Sequence, residues 1–495
     1  MPRKEKTMKK LLVCLLAVFM LVPLLVACET GDEESSTASG GSVENSKVIT
    51  PVKDLDGREI HVLCWDFGAG SNSILGYTGE IVYNEENPSS VDEAKKQVVD
   101  YVEETYNCTI VGDMTSTESV IDIIKTQVSS GLPYYDICFD SLGRTASLAI
   151  EKQLIDLKTI STIDLSAEWW DKNAVEDLSI DNKVYFTCGD INTYDDQGTW
   201  CVLFNKNLKQ TLGIEEDFYT IAREGNWTWD TFKEICARDI TADTTGDGAI
   251  DEFDRWAFGT ETYNLYVQLV GAGQKIAGKT DNDLPYLVAA NEPEATYTIL
   301  SDVIEFYNDN NTVMVANAPP YTNKGYTNVW EATVHKAFIE GRELFYMCGL
   351  INVASFRKME DEFGILPIPK YYDTQDRYYH TVSKDNCTMM FVPEGTVDVD
   401  DVGLIISAIS EQSMNYVTPA YYDVQLKYRD AKDDESGEML DLIFASRTFD
   451  LGCAYNWGGI LEPYMTLDTN VASRFEAKIS SAETAMNQML EELAG

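Results

Sequence analysis

From residue 59 onward the chain alternates two periodicities, and that alternation restricts the fold more than any other feature. "EIHVLCWDFG" (59–68) is an apolar, β-rich run ending at an aromatic residue and a glycine, the pattern of a buried strand. In "VDEAKKQVVDYVEETYNCTIV", Ala94, Val98, Val102 and Tyr106 recur every four residues, marking one helix face that leads into the short strand CTIV. "SVIDIIKTQVSSGLPYYDICFDS" reads as a helix, a Gly/Pro break and an apolar strand ending at Asp140. Strands joined through helices need crossover connections, which predicts parallel sheets covered by helices: an α/β architecture. The pattern returns in "WCVLFNKNLKQTLG", a strand entering a helix. It returns in "NWTWDTFKEICARDI", where Thr228 caps a helix with Asp230 in its first turn. "GRELFYMCGL", "FGILPIP" and "DNCTMMFVPEGT" read as further strands, and the C-terminal part reads as mostly helical.

Residues 1–27 combine a basic head, an apolar run and a small residue before Cys28, which is an export signal. Pro23 interrupts the run, which disfavours a spanning helix. Leu25-Val26-Ala27-Cys28 resembles a bacterial lipobox, implying cleavage before Cys28 and a lipid anchor through its thiol. Residues 28–52 are rich in Ser, Gly and Glu and read as a flexible tether. The stretch 53–495 exceeds what one ordinary core holds, so two domains are expected.

A net charge of −44 leaves no clustered basic surface for a phosphate backbone, so nucleic acid is excluded as a partner. Of eleven Cys, nine remain once Cys14 and Cys28 are set aside, and no C-x-x-C spacing occurs. That pattern opposes a disulfide framework or zinc site, and Cys64, Cys138 and Cys348 sit in apolar strings as buried thiols, with room for one disulfide. The three His (His61, His335, His380) are dispersed among apolar and aromatic neighbours, and no nucleophile elbow, P-loop or H-E-x-x-H is present. "GAGQKIAG" (271–278) lacks the last glycine of a dinucleotide fingerprint. No catalytic residue is expected. A glycosidase would need two facing carboxylates, for which Asp190, Asp195 and Asp196 in "CGDINTYDDQG" are the best placed. Their alternative is a polar loop binding hydroxyls or water. Aromatic residues are abundant, and Trp65, Tyr194, Trp200, Tyr455 and Trp457 fall at strand ends in polar loops. Flat rings interspersed with Asp and Asn suit sugars, and ligands of α/β sheets sit beyond the carboxyl ends of strands.

The lipobox and tether are followed in order by "WWDKNAVEDLSIDNKVYFTCGD", "VLFNKNL", "GNWTWDTFKEI", "FIEGRELFYM", "FRKMEDEFGILPIPKY" and "VPEGT". Together they resemble extracellular solute-binding proteins of family 1, the maltose-binding-protein-like receptors of bacterial ABC sugar importers. The resemblance implies a two-lobe periplasmic-binding-protein-like fold (type II) with three hinge crossovers, near Thr199, Glu343 and Met389. Lobe 1 would comprise 53–198 plus 343–389, and lobe 2 would comprise 199–342 plus 390–495. It implies a monomeric lipoprotein on the extracellular face of the membrane that captures an oligosaccharide and delivers it to ABC permease subunits. The ligand contacts it implies are Trp65 and Asp66; Asp140, Ser141 and Arg144; Asp190, Tyr194 and Asp195; Gln274; Leu350 and Asn352; Tyr455 and Trp457. A surface glycoside hydrolase and a ligand receptor for a sensor kinase stay open as alternatives.

"DTTGDGAIDEFD" (243–254) has calcium-loop spacing. Asp243, Thr245, Asp247, the Ala249 carbonyl, Asp251 and Asp254 fall at positions 1, 3, 5, 7, 9 and 12, with Gly248 at the sharp turn. Thr245 and Asp254 depart from the EF-hand pattern, and the final Asp resembles dockerin loops. No second loop follows, so a structural calcium in lobe 2 is expected rather than a sensor or a dockerin.

Overall fold

Strand β1 (Arg58–Trp65) buries Ile60, Val62, Leu63 and Cys64 almost completely. In the computed structural model, which describes residues 49–66, 79–86, 88–422 and 433–494, β1 lies inside a sheet. The export signal, Cys28 and the tether up to residue 48 lie outside the described residues. Helix α1 (Ser90–Tyr106) starts at a capping box: the Ser89 side chain accepts from Asp92 N–H, and the Asp92 carboxylate accepts from Ser89 N–H. Its buried face includes Ala94, Val98, Val102 and Tyr106, the four residues that marked it in sequence. Asn107, at φ +49°, ends the helix and turns the chain into β2 (Cys108–Thr115). Helix α2 (Val120–Ser130) then leads to β3 (Ile137–Ser141), and α3 (Leu142–Ile150) follows.

Two five-stranded sheets organise the unit Val48–Gly495. The first has the order β2-β1-β3-β13-β4, with β4 at Phe186–Thr187 and β13 at Thr388–Phe391. β1 is parallel to β2 and β3, while β13 inserts antiparallel between β3 and β4. The second has the order β11-β5-β10-β6-β9. Its strands are β5 (Trp200–Asn205), β6 (Trp256–Thr260), β9 (Val313–Val315), β10 (Glu343–Gly349) and β11 (Phe363–Leu366). A hairpin, β7 (Ala277–Lys279) and β8 (Pro285–Leu287), follows helix α4 (Asn264–Gly271) in the second lobe.

The first passage between sheets lies between β4 and β5, a stretch that includes Thr199. The other two expected boundaries are corrected. β10 does not join the first sheet: it is parallel to β6 and antiparallel to β5, with all seven residues buried. A strand paired on both edges has no free ladder for another sheet. The return passage instead lies between β11 and β13 and carries the short strand β12 (His380–Thr381). Met389 is in the middle of β13 and therefore inside the first sheet. Helix α5 (Val399–Pro419) packs on α1, so the third passage comes after it, before α6 (Asp434–Ala445) packs on β11. The crossing segments touch: Thr199 bridges Val382, and β12 pairs with β14 (Arg447–Thr448).

Much of the aromatic content is core. Phe218, Trp227, Phe232, Phe258 and Phe345 form linked ring contacts under the second sheet. Among the described residues nine Cys are buried free thiols. Among the described residues no helix is long and apolar enough to cross a membrane.

Candidate ligand-binding cleft

A cavity of about 330 Å³ opens where the crossing segments meet the carboxyl ends of β6 and β10. Each wall has a local cause. Gly198 lets the first crossing press on the second, since a Cβ there would lie 2.8 Å from Cys387 Cβ. Ser383 N–H then donates to the Gly198 carbonyl at 2.8 Å, bringing Ser383 to the cavity. The end of β5 supplies Trp200, whose ring lies 5.3 Å from that of Tyr263. Glu261 and Tyr263 follow β6, and Ile351 and Asn352 follow β10. Trp330 completes an aromatic wall, its Nε1–H donating to the Tyr346 hydroxyl at 2.7 Å. Burial pushes the Glu261 carboxyl up to about 7.

A second group, from the first sheet, adjoins through Ile351. Tyr194 and Ile351 form a small apolar cluster, and Trp65 packs against both it and the main core. The Arg144 guanidinium lies 4.4 Å over the Trp65 ring, and its Nη1 is 3.5 Å from Asp140 Oδ1. Asp140 is buried, which raises its carboxyl to about 6. Glu80 fixes Tyr194: its buried carboxylate accepts from Thr193 N–H at 2.8 Å and Tyr194 N–H at 3.3 Å, and it also bonds the Thr388 hydroxyl.

Thus Trp65, Asp140, Arg144 and Tyr194 come together, and Asn352 lines the cavity directly. Leu350 is buried at 1% exposure, Ser141 is the buried residue before α3, and Asp66 follows β1 with its N–H on the Thr115 carbonyl. Other expectations are corrected. Asp190 and Asp195 face a different cavity, of about 340 Å³, around Arg447. Arg447 bonds Asp171 at 2.7 Å, Asp195 at 3.2 Å and Asp196 at 2.6 Å, so two of the acids read as sugar or catalytic contacts hold a buried cation. Thr418 donates to Asp190 at 2.5 Å. Gln274 follows the carboxyl end of α4, whereas the cavity lies at its amino end, about 12 Å away for eight helical residues. Trp457 is 3% exposed, with Nε1 3.2 Å from Met489 Sδ on α7 (Val471–Ala494). Tyr455 stacks on it at 5.5 Å and 3° and does not line the cavity.

Sequence reasoning missed Glu261, Tyr263, Trp330, Asp385 and Asn386 as cavity residues. The strand-end rule could have found Glu261, which directly follows "AFGT". Nothing local marked 383–386.

In the loop 243–254 the carboxylates accept backbone N–H groups. Asp243 takes Gly246 and Gly248, Asp247 takes Ala249, and Asp254 takes Thr244, Thr245 and Asp251. Lys324 Nζ lies 3.7 Å from Asp251. Among the described residues no group of three or more His, Cys, Asp or Glu is arranged to hold a metal.

No protein-family model and no curated protein matches the chain. Solved structures share its fold. An ABC substrate-binding protein from Listeria monocytogenes in complex with cycloalternan aligns at TM-score 0.51 and 13% identity, over 89% of this chain and 100% of its own. A cyclo/maltodextrin-binding protein complexed with maltotetraose aligns at 0.54 and 11%, over 89% and 98%. The maltose-binding periplasmic protein of Listeria monocytogenes in complex with maltose aligns at 0.53 and 12%, over 89% and 98%. The two-lobe α/β architecture is therefore that of sugar-binding proteins.

Proposed function

We propose that this protein is the substrate-binding component of a bacterial ABC importer and captures an oligosaccharide between its two lobes. One observation carries the reading: an aromatic-walled, polar-edged cavity sits at the chain crossings, beyond the carboxyl ends of parallel strands. Its volume falls within the roughly 300–1,000 Å³ of small-molecule sites, and Trp200, Tyr263 and Trp330 offer stacking faces beside Asn352 and Ser383. A ligand touching both lobes binds a closed form better and shifts the population toward it, and a permease can recognise that form. An affinity near ~1 μM needs about −8 kcal/mol, which a few stacked rings and hydrogen bonds supply. Titration calorimetry against an oligosaccharide panel, with product analysis, is the test. Stoichiometric binding without cleavage supports the reading, and turnover would replace it with a hydrolase.

In the same reading the chain works as a monomer, anchored at the extracellular face through lipidated Cys28. The lipobox-like sequence supports this. Mass spectrometry of the membrane-extracted protein should find a diacylglyceryl group on Cys28, and an unmodified thiol there would remove the anchor. A calcium in 243–254 is a separate proposal, supported by the spacing of its oxygens.

A further inference from the structure

The helix that carries Trp330 is wound unevenly. Its turn Glu331–His335 is π-helical, and α-helical geometry resumes at Lys336–Ile339. In an unbroken α-helix the residues three and four places on, Thr333 and Val334, would lie beside Trp330. The wider i→i+5 turn brings His335 there instead. Its ring lies 4.2 Å from that of Trp330, with 35° between the planes. His335 also meets Phe356 at 5.1 Å and is 3% exposed. Burial holds the imidazole down to about 4, so it is neutral at neutral pH and carries one proton. Its Nε2 is 3.3 Å from the Ser355 hydroxyl, which donates to the Asn352 carbonyl at 2.6 Å. A hydroxyl has one proton to give, so Ser355 receives from His335 Nε2–H. Nδ1 is then an acceptor, and it is buried with no hydrogen-bond partner. A side chain that only filled this space would be apolar, because an unsatisfied buried nitrogen costs stability. Imidazole does two things at once: it presents a flat face to Trp330 and donates to Ser355. Both contacts end at the cavity, which Trp330 and Asn352 line.

We propose that His335 is a positioning residue for the ligand: it backs the Trp330 ring as a sugar-stacking face and, through Ser355, holds the Asn352 segment beside it. The inference rests on the carbohydrate reading above and names what sets the shape of that cleft. Two variants divide the roles. His335→Ala removes both contacts, and Ser355→Ala removes only the link to Asn352. A crystal structure of His335→Ala should show the Trp330 ring in a different rotamer, while Trp200 of the same cavity keeps its own. Calorimetry with maltotetraose and cellotetraose covers α- and β-linked chains. Affinity for whichever the parent binds should fall roughly tenfold in His335→Ala, as for a lost stacking face, and about threefold in Ser355→Ala. In a Trp330→Ala background, His335→Ala should cost only the about threefold share carried through Ser355, because the rest acts through the missing ring. A residue needed only for the fold would lower the melting temperature and weaken binding equally in both backgrounds. An unmoved Trp330, or fully additive losses, overturns the positioning role while the carbohydrate reading stands. If the parent binds neither tetraose, that reading falls, and the Trp330 rotamer alone decides the positioning role. Should His335→Ala not fold, His335→Gln, which keeps a donor for Ser355 without the flat face, takes its place in both measurements.

Discussion

Trp65 stands between two roles, ligand contact and packing. It is partly buried, lies under the Arg144 guanidinium, and packs both against the small Tyr194–Ile351 cluster and against the edge of the main core. If the ring contacts the ligand, Trp65→Ala should cost roughly 1–3 kcal/mol of ligand affinity, about ten- to a hundredfold, while its partial exposure keeps the loss of melting temperature small. Calorimetry beside a thermal melt checks both, and a collapsed melt would place the ring in the core instead. His380 is the opposite case. It is fully buried, with Nε2 accepting from Ile368 N–H at 3.0 Å and Nδ1 2.8 Å from the Ser446 hydroxyl. Burial holds it down to about 3, so from about 6.5 to about 3 the unfolded chain binds the extra proton. Its contribution is complete above that window and is lost as pH falls through it. Glu261, raised to about 7, acts in the other direction, favouring the folded state as pH falls from about 7 toward 4.5. His380→Gln should flatten the acid limb of a urea stability profile between pH 3 and 6.5. An unchanged slope would mean that His380 protonates without unfolding.

At the scale of elements, local chemistry largely decides where a segment starts and stops. Ser89 with Asp92 begins α1, and Thr228 accepts from Thr231 N–H to begin the helix Trp229–Cys236, as its sequence predicted. The loop 243–254 is a self-contained turn of the same kind, and calcium is the question it poses. Extracellular calcium sites often have dissociation constants near ~0.1–1 mM. At about tenfold excess, linkage gives roughly 1.4 kcal/mol, a rise of about 3–6 °C in a lobe of this size. Asp247 is the position to test, because it is exposed and accepts only the Ala249 N–H, so Asp247→Ala should leave the metal-free loop intact. Asp254 would mislead, since it is fully buried and caps three backbone donors whether or not a metal binds. Differential scanning fluorimetry with calcium, then chelator, should show a reversible rise in the parent and none in Asp247→Ala. A melting temperature indifferent to calcium would leave the loop as an acidic turn.

For the whole molecule the decisive place is where the crossing segments meet. Arg447, on β14, bonds Asp195 and Asp196 of the first crossing and Asp171 beside the first sheet, while its strand pairs with β12 of the second. Burial opposes the guanidinium's charge, but the three carboxylates raise its pKa well above the usual value. Arg447→Met would strand those acids, and breaking such a buried arrangement costs about 3–5 kcal/mol. Urea unfolding should show a loss of that order. A change under about 1 kcal/mol would mean that the acids protonate or reach water instead.

The sequence by itself determined what depends on near neighbours: the strand-helix alternation, the helix caps, the buried thiols, and the aromatic residues at strand ends, of which Trp200 lines the cavity. Tertiary structure decided what depends on distant partners. β10 and β13 have the same buried, apolar look, and only pairing with β5 and β6, or with β3 and β4, assigns each its sheet. Asp195 looks like a cleft acid until Arg447, 252 residues away, takes it as a partner. Trp457 looks like a stacking ring until α7 covers it. Glu261 stands at a strand end that the sequence shows, and only the fold brings it into one cavity with Trp330 and Ser383.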